Sequence, residues 1–292
     1  MKHKKEKQFY IAIFCFIVGF CLLLYPTVSN FINERHSSHV ISNYEKTVKD
    51  MSKTDYSIEF AEAKKHNEFL AQQGFLAAGV DMENRDELNS YNRLLNVTDD
   101  GVMGDIQIPK IQVNLPIYHT TEESVLQSAV GHYVGSSLPV GGKSTHAVLS
   151  GHRGLPSAEL FTELDKLEKG DVFYIEVLNK KLAYQVDKIK TIDPEKAGSN
   201  LDIVKGKDYV TLMTCTPYGV NTDRLLVRGK RIPYKKAEEK KEIQKGKKIA
   251  HLAFLRRFFM FIVSFAVIMF LAVRLGLFLG DNKNRYVSGK NK

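Results

Sequence analysis

The alternation of hydrophobic and polar positions divides the chain into distinct parts. Residues 9–25 form an uncharged apolar run, and residues 258–279 form a second one that only Arg274 interrupts. Residues 31–98 favour helix, because Ala, Glu, Lys, Leu and Gln are abundant there. Residues 99–233 contain short alternating apolar runs separated by Gly, Pro and Asn, a pattern typical of strands. The pattern therefore predicts a helical N-terminal region and a mostly antiparallel β-barrel, flanked by two transmembrane helices.

Individual elements of the predicted barrel follow from the same pattern. Strands are expected over residues 103–108, 111–118, 146–150, 172–178, 182–189, 209–215 and 224–232. A hairpin turn is expected at residues 179–181, and a short helix over residues 123–130. A longer helix is expected between Ser157 as N-cap and Gly170 as terminator. Its apolar face would consist of Leu160, Phe161, Leu164 and Leu167.

The two long apolar runs are candidate membrane spans. Four Lys residues precede residues 9–25 and no good cleavage site follows, so a retained anchor is favoured over a cleaved signal peptide. The uninterrupted part of the second run would span about 24 Å as a helix, against about 30 Å for a bilayer core. If Arg274 extends its side chain to the interface, the span continues to residue 279. A buried soluble helix is the alternative.

Charge is concentrated beside these runs. The chain carries a net charge of +9, yet residues 9–229 are acidic on balance, and the positive excess lies in residues 1–8 and 230–292. The predicted barrel lacks a basic stripe with interleaved aromatic residues, so nucleic-acid binding is not indicated. The positive-inside rule predicts that residues 1–8 and 280–292 are cytoplasmic, although the basic residues 234–257 would then lie outside. That segment is expected to be a solvated stalk, with contact to anionic lipid or wall polymer as the alternative.

Candidate chemistry centres on one thiol. Cys15 and Cys21 lie in the first apolar run, which leaves Cys215 without a disulfide partner in the rest of the chain. Cys215 ends a predicted strand just before Pro217, and Arg224 begins the next strand. If these strands pair antiparallel, both residues face one site. A thiol nucleophile needs an acid or base nearby, and His152 is the best candidate. An inert core cysteine is the alternative.

Three motifs agree in order and spacing with one enzyme family. Thr-Leu-Met-Thr-Cys ends at Cys215, and Arg224 follows nine residues later. Gly-His-Tyr-Val-Gly-Ser-Ser-Leu-Pro begins at residue 131, and Ser-Thr-His-Ala-Val-Leu-Ser-Gly-His-Arg-Gly-Leu-Pro begins at residue 144. Residues 100–233 thereby resemble class C sortases, pilin-polymerising cysteine transpeptidases of Gram-positive cell surfaces. The resemblance implies an eight-stranded barrel outside the cell membrane.

The resemblance also implies the reaction and its residues. The enzyme would cut a Leu-Pro-x-Thr-Gly-like sorting signal between Thr and Gly, and pass the acyl group to a lysine of a pilin subunit. Cys215 would be the nucleophile, His152 the general acid and then base, and Arg224 the oxyanion donor. Supporting roles are expected for Thr214, Thr216, His132 and Arg153, with structural roles as the alternative for the last two. His146 is expected to be a packed core residue. No metal site or cofactor is predicted.

Two points stay open at this level. Class C relatives carry an Asp-Pro-aromatic lid motif, whereas the corresponding region here offers only Asp81-Met-Glu, so the lid motif is expected to be absent. The alternative functions are a sortase that joins proteins to peptidoglycan, and a tethered binding module without catalysis. A peptidoglycan L,D-transpeptidase is disfavoured because Thr214, and not Gly, precedes the thiol.

Overall fold

A computed structural model describes residues 2–73, 85–196, 198–256, 258–260 and 262–263. The chain divides into two compact units, Met1–Ile243 and Gln244–Lys292. In the second unit, residues 244–256, 258–260 and 262–263 are helical. Most of the predicted second span, and the Asp81-Met-Glu segment, lie outside the described residues.

The first unit contains the helices and the strands that position the candidate site. Its helices are α1 (Lys2–Asp50), α2 (Lys53–Gln73), α3 (Arg85–Arg93), α4 (Glu123–Leu126) and α5 (Gly198–Leu201). Its strands are β1 (Val102–Ile108), β2 (Val113–Tyr118), β3 (Val130–His132), β4 (Thr145–Ser150), β5 (Val172–Val177), β6 (Lys180–Ile192), β7 (Asp208–Thr216) and β8 (Asp223–Ile232). Residues 236–243 are helical as well.

The eight strands form a closed barrel in the order β1-β2-β3-β4-β7-β8-β6-β5, which confirms the predicted fold. The pairs β2–β3 and β4–β7 are parallel, and the other neighbours are antiparallel. These directions bring the C-terminal ends of β1, β4, β6 and β7 to the same end of the barrel. That end, which carries Cys215, is called the Cys215 end below.

The barrel interior is filled by large side chains that leave no room for others. Phe173 and Tyr184 are fully buried and stack at a ring separation of 5.6 Å. Gly229 lies against them, and a Cβ there would approach the Phe173 ring to 2.5 Å. Because interiors are packed to crystal density, only glycine fits at this position.

Helix α1 is attached to the outside of the barrel. The buried Tyr44 hydroxyl donates to the Met103 carbonyl at 3.0 Å and accepts from the Leu178 N–H at 3.0 Å. Within α1, Ile17–Asp50 is the one helix among the described residues that is long and apolar enough to cross a membrane. The helix therefore combines an apolar N-terminal part with a C-terminal part that belongs to the folded unit.

The predicted helix between Ser157 and Gly170 is wrong. The segment consists of turns and a short 3₁₀ helix, Leu164–Lys166, although its four apolar residues are buried as expected. Leu160 has φ of +39°, and the Phe161 N–H donates to the His152 carbonyl at 3.1 Å. An α-helix would direct that N–H to Ser157. The tertiary bond and the burial of Phe161 override the local helical pattern.

Two smaller predictions are corrected as well. The β5–β6 hairpin turns at Leu178 and Asn179, with φ of 47° and 61°, one position earlier than expected. Two consecutive positive φ values match the type I′ turns that two-residue hairpins favour.

The start of the segment predicted as a solvated stalk, residues 234–257, is packed against the barrel. Glu239 is buried and accepts hydrogen bonds from Lys181 Nζ at 2.8 Å and from the Tyr234 hydroxyl at 2.7 Å.

Candidate active site

Cys215 and Arg224 are direct partners across β7 and β8. The two strands pair antiparallel, and the register places Cys215 opposite Arg224. Side chains of directly opposed residues project from the same face of a sheet. The thiol is partly exposed. The thiol and the guanidinium therefore face the same side at the Cys215 end.

His152 is brought to the same end by β4. This strand runs parallel to β7, and its last residue, Ser150, pairs with Met213. The register continues beyond the strand, because the Gly151 N–H donates to the Met213 carbonyl at 3.1 Å. The Thr214 hydroxyl donates to the Gly151 carbonyl at 2.7 Å. His152 directly follows Gly151 and Cys215 directly follows Thr214, so the same register would place these two residues side by side.

Gly151 lets the chain pass close to a buried ring. A Cβ at this position would lie 2.8 Å from the Phe161 side chain, which is fully buried. Phe161 also donates its backbone N–H to the His152 carbonyl. The ring and the backbone bond together fix the path of the chain that carries the imidazole.

The His152 imidazole contacts a carboxylate. Its Nε2 lies 3.2 Å from Glu123 Oε2 at the start of α4. The other oxygen of Glu123 accepts from Gln127 Nε2. Glu123 is largely exposed, with 68% of its side-chain surface accessible. The carboxylate orients one edge of the ring, and Nδ1 is on the opposite edge.

The Arg224 guanidinium is held through one nitrogen. Its Nη1 donates to the carbonyls of Asn221 and Asp223 at 3.3 and 3.2 Å. Within the part of the chain that the structure describes, Nε and Nη2 have no hydrogen-bond partner. The side chain is therefore anchored to the loop and still has donors for a ligand.

Arg153 and Thr216 contact each other beside the candidate site. Arg153 Nη1 donates to the Thr216 hydroxyl at 3.1 Å, and Nη2 pairs with Asp165 at 2.5 Å. Its guanidinium also lies over the Tyr218 ring at 5.9 Å. Because these partners engage the charge, Arg153 links the loop after Cys215 to the segment after His152.

His132 and His146 are both interior residues. His132 is fully buried, accepts from the Tyr91 hydroxyl at 2.7 Å and donates to the Ser137 carbonyl at 2.9 Å. Burial lowers the pKa of His132 to about 3, so the ring is neutral. Of the two roles considered for His132, supporting and structural, its complete burial favours the structural one. His146 is packed as expected, 2.7 Å from the Thr211 hydroxyl.

Two neighbours of the site were not predicted from the sequence. Glu123 lies 29 positions before His152, and its approach depends on the placement of α4 by β3. Phe161 was predicted as a helix residue, and its role beneath Gly151 depends on the irregular backbone there. Neither residue belongs to a local motif. Among the described residues, no group of three or more His, Cys, Asp or Glu could hold a metal ion.

Known protein families and solved structures similar to this chain are sortases. The family described as Sortase domain matches residues 106–232. The crystal structure of sortase C1 from Streptococcus agalactiae is 49% identical, with a TM-score of 0.64, and covers 68% of this chain and 100% of its own. Sortase C1 of GBS Pilus Island 1 is 44% identical, with a TM-score of 0.62, and covers 68% of this chain and 94% of its own.

A curated relative matches a shorter region. Sortase D of Bacillus subtilis (strain 168) is 33% identical over 132 residues, which are 44% of this chain and 63% of the relative. The matched part of the chain thus spans less than two thirds of that protein.

Proposed function

The chain belongs to the sortase family of cysteine transpeptidases, and from this premise we propose that it polymerises pilin subunits. It would cleave a Leu-Pro-x-Thr-Gly-like sorting signal between Thr and Gly, and transfer the acyl group to a lysine amine. The observation that carries this proposal is the convergence of Cys215, His152 and Arg224 at one end of the barrel.

The first half-reaction forms a thioester. The Cys215 thiol passes its proton to His152, the sulfur attacks the carbonyl carbon of the substrate Thr, and the carbonyl oxygen becomes an oxyanion. Arg224 donates to this oxygen through the nitrogens that the loop does not engage. The Thr–Gly bond then breaks, and His152 gives its proton to the departing Gly amine. The products are an acyl-enzyme and a free amine.

The second half-reaction reverses these roles. The neutral amine of a lysine attacks the thioester carbon, and His152 accepts a proton from that nitrogen. The tetrahedral intermediate collapses, the Cys215 thiolate leaves, and an isopeptide bond joins the two subunits. Arg224 stabilises the oxyanion again, since the developing charge is on the same oxygen. The side chain must remain arginine, because lysine lacks the planar fork.

Pilin polymerisation is supported over attachment to peptidoglycan by the degree of similarity. The two sortase C1 structures are 44–49% identical to this chain, and one of them is described as belonging to a pilus island. Sortase A of Streptococcus agalactiae serotype III is 27% identical over 222 residues. Pilin proteins with sorting signals and acceptor lysines are accordingly the proposed partners.

The proposed location is the cell membrane of a Gram-positive bacterium, with the barrel outside. The apolar part of α1 would be retained as an anchor, which agrees with its length and composition. Residues 258–279 would form the second span, and both termini would be cytoplasmic. Membrane lipid is thus a second proposed partner.

Mass spectrometry of the acyl-enzyme tests the function. The full chain in detergent is incubated with a sorting-signal peptide, and Cys215 is expected to gain the mass of the peptide up to its Thr. A lysine-containing pilin peptide should then remove the adduct and form an isopeptide product. Cys215→Ala must abolish both. A chain that binds the peptide without any adduct would instead be a binding module.

A further inference from the structure

Helix α1 is bound to the barrel by two asparagines one turn apart. Asn33 Nδ2 donates to the Ser128 carbonyl at 3.2 Å. Asn30 Oδ1 accepts from the Glu159 backbone N–H at 2.8 Å. Both bonds involve main-chain groups of the barrel, so they fix the height of the helix relative to the barrel.

The two contacted segments are those that border His152. Ser128 lies two positions after α4, whose Glu123 contacts the His152 ring. Glu159 lies two positions before Phe161, whose N–H bonds the His152 carbonyl. The four residues of α4 bridge roughly 6 Å at the rise per residue of a helix. The Asn30–Asn33 turn is therefore bound beside the Cys215 end.

The opposite side of the same turn is apolar and exposed. Val28, Phe31 and Ile32 are 51%, 55% and 61% exposed. They continue an exposed apolar surface that includes Phe20, Leu22, Leu23, Leu24 and Tyr25. Immediately afterwards come Glu34, Arg35 and His36, and the Arg35 guanidinium lies over the Phe31 ring at 5.1 Å. The exposed apolar surface therefore ends at this turn, where charged residues begin.

We propose that the Asn30–Asn33 turn seats the Cys215 end of the barrel on the lipid surface. Val28, Phe31 and Ile32 enter the membrane interface, while Asn30 and Asn33 bind the barrel. The occupant of this apolar face is lipid, because the face continues without a break from the candidate anchor. The reacting groups are held within about 10–15 Å of the headgroups, given one helical turn and the short α4 bridge.

The contact between this turn and lipid does not depend on the proposed function. Its effect on the reaction of membrane-attached substrates does. A scissile bond close to the membrane reaches Cys215 easily when the substrate is itself attached to the membrane. The rigid helix then sets the distance between Cys215 and the membrane. A substrate whose membrane tether does not match this distance has a lower effective concentration at Cys215. A soluble peptide has no such restriction.

Lipid quenching tests the seating directly. The full chain with Cys15→Ser, Cys21→Ser and Cys215→Ala receives a single cysteine in place of Phe31, Glu159 or Val204 and a polarity-sensitive dye. Glu159 bonds Asn30 through its backbone, so the contact survives labelling. Val204 is the control, 42% exposed in the loop before β7, at the other end of the barrel. The proteins are reconstituted in vesicles of phosphatidylcholine and phosphatidylglycerol with headgroup-labelled quencher lipid.

We expect the dyes at positions 31 and 159 to lose most of their emission and the dye at 204 to retain it. Retained emission at position 159 would overturn the proposal. Equal quenching at all three positions would overturn it too, because the barrel would then contact lipid without a preferred end.

A second experiment changes the height of the barrel above the membrane, and it tests the seating separately from the catalytic function. About seven charged, helix-forming residues inserted after Thr27 lift residues 28–33 together with the barrel by about 10 Å, and they leave the contacts of Asn30, Asn33 and Tyr44 in place. Cleavage of a lipid-tethered sorting peptide should fall on the order of tenfold, and a correspondingly longer tether should restore it. Cleavage of the soluble peptide should not change. An unaffected tethered rate would overturn the proposal. If the parent chain cleaves neither peptide, the proposed function fails, and the quenching result still decides the seating.

Discussion

Cys215 and Arg224 are opposed residues in the β7–β8 ladder, and neighbouring strands hold such pairs with their Cβ atoms about 4.5–5.5 Å apart. This register gives Arg224 access to any carbonyl that the thiol attacks. The relationship is a property of the backbone, so it does not depend on the conformation of the loop between the strands.

Arg224→Lys should lower the single-turnover rate of acylation by on the order of 10²–10³, because the planar donor pair for the oxyanion is lost. The melting temperature should hardly change, since Arg224 bonds only two loop carbonyls among the described residues. Arg228→Lys is the matched control on the same strand, paired with Asp187 away from the thiol. Equal rates for both variants would contradict the assigned role.

Gly151→Ala should lower kcat by up to ~10²-fold, because the new Cβ would lie 2.8 Å from Phe161 and shift His152 out of position. Steady-state rates with the sorting peptide measure this effect. Phe161→Leu in the same chain should restore part of the rate by making room for the methyl group. A fully active Gly151→Ala variant would show that this contact does not position the imidazole.

Glu123→Gln should lower the acylation rate by less than ~5-fold, because exposed ion pairs contribute about 0–1 kcal/mol. Glu122→Gln, at the adjacent position, serves as control. A hundredfold loss for Glu123→Gln alone would instead place this carboxylate in the catalytic machinery. Rescue by Glu123→Asp would then separate orientation from charge.

Asp105 should make the protein less stable as the pH rises. Burial, together with the nearby Glu176 carboxylate, raises the pKa of Asp105 to about 8. An unfolded Asp has a pKa of about 3.9, so the folded state holds a proton that the unfolded state releases between these values. Stability is therefore lost across that window, by at most about 1.4 kcal/mol per pH unit. Asp105→Asn should flatten the dependence of the urea midpoint on pH, and an unchanged slope would refute this.

Tyr91→Phe should destabilise the fold by about 1–3 kcal/mol, because the buried Nδ1 of His132 loses its donor. Acylation by the folded variant should be unchanged. Urea denaturation measures the loss, with Tyr56→Phe as a control at a half-buried ring. No difference between the two variants would mean that the Tyr91–His132 bond contributes nothing.

Much of the barrel was predictable because alternation of apolar residues reports directly on strands. The pairing of Cys215 with Arg224 was also predictable, since one lies near the end of a strand and the other near the start of its partner. The residues around Phe161 were not, because their periodicity suits a helix and only tertiary contacts prevent one. The burial of His132 depends on Tyr91 from α3, a contact 41 positions away that no local pattern encodes.

The most direct test is a structure of the chain with a sorting-signal peptide trapped covalently on Cys215. We expect Arg224 nitrogens at about 3 Å from the oxygen of the trapped carbonyl, and a His152 ring nitrogen facing the position of the leaving amine. A trapped oxygen that contacts neither residue would contradict this expectation.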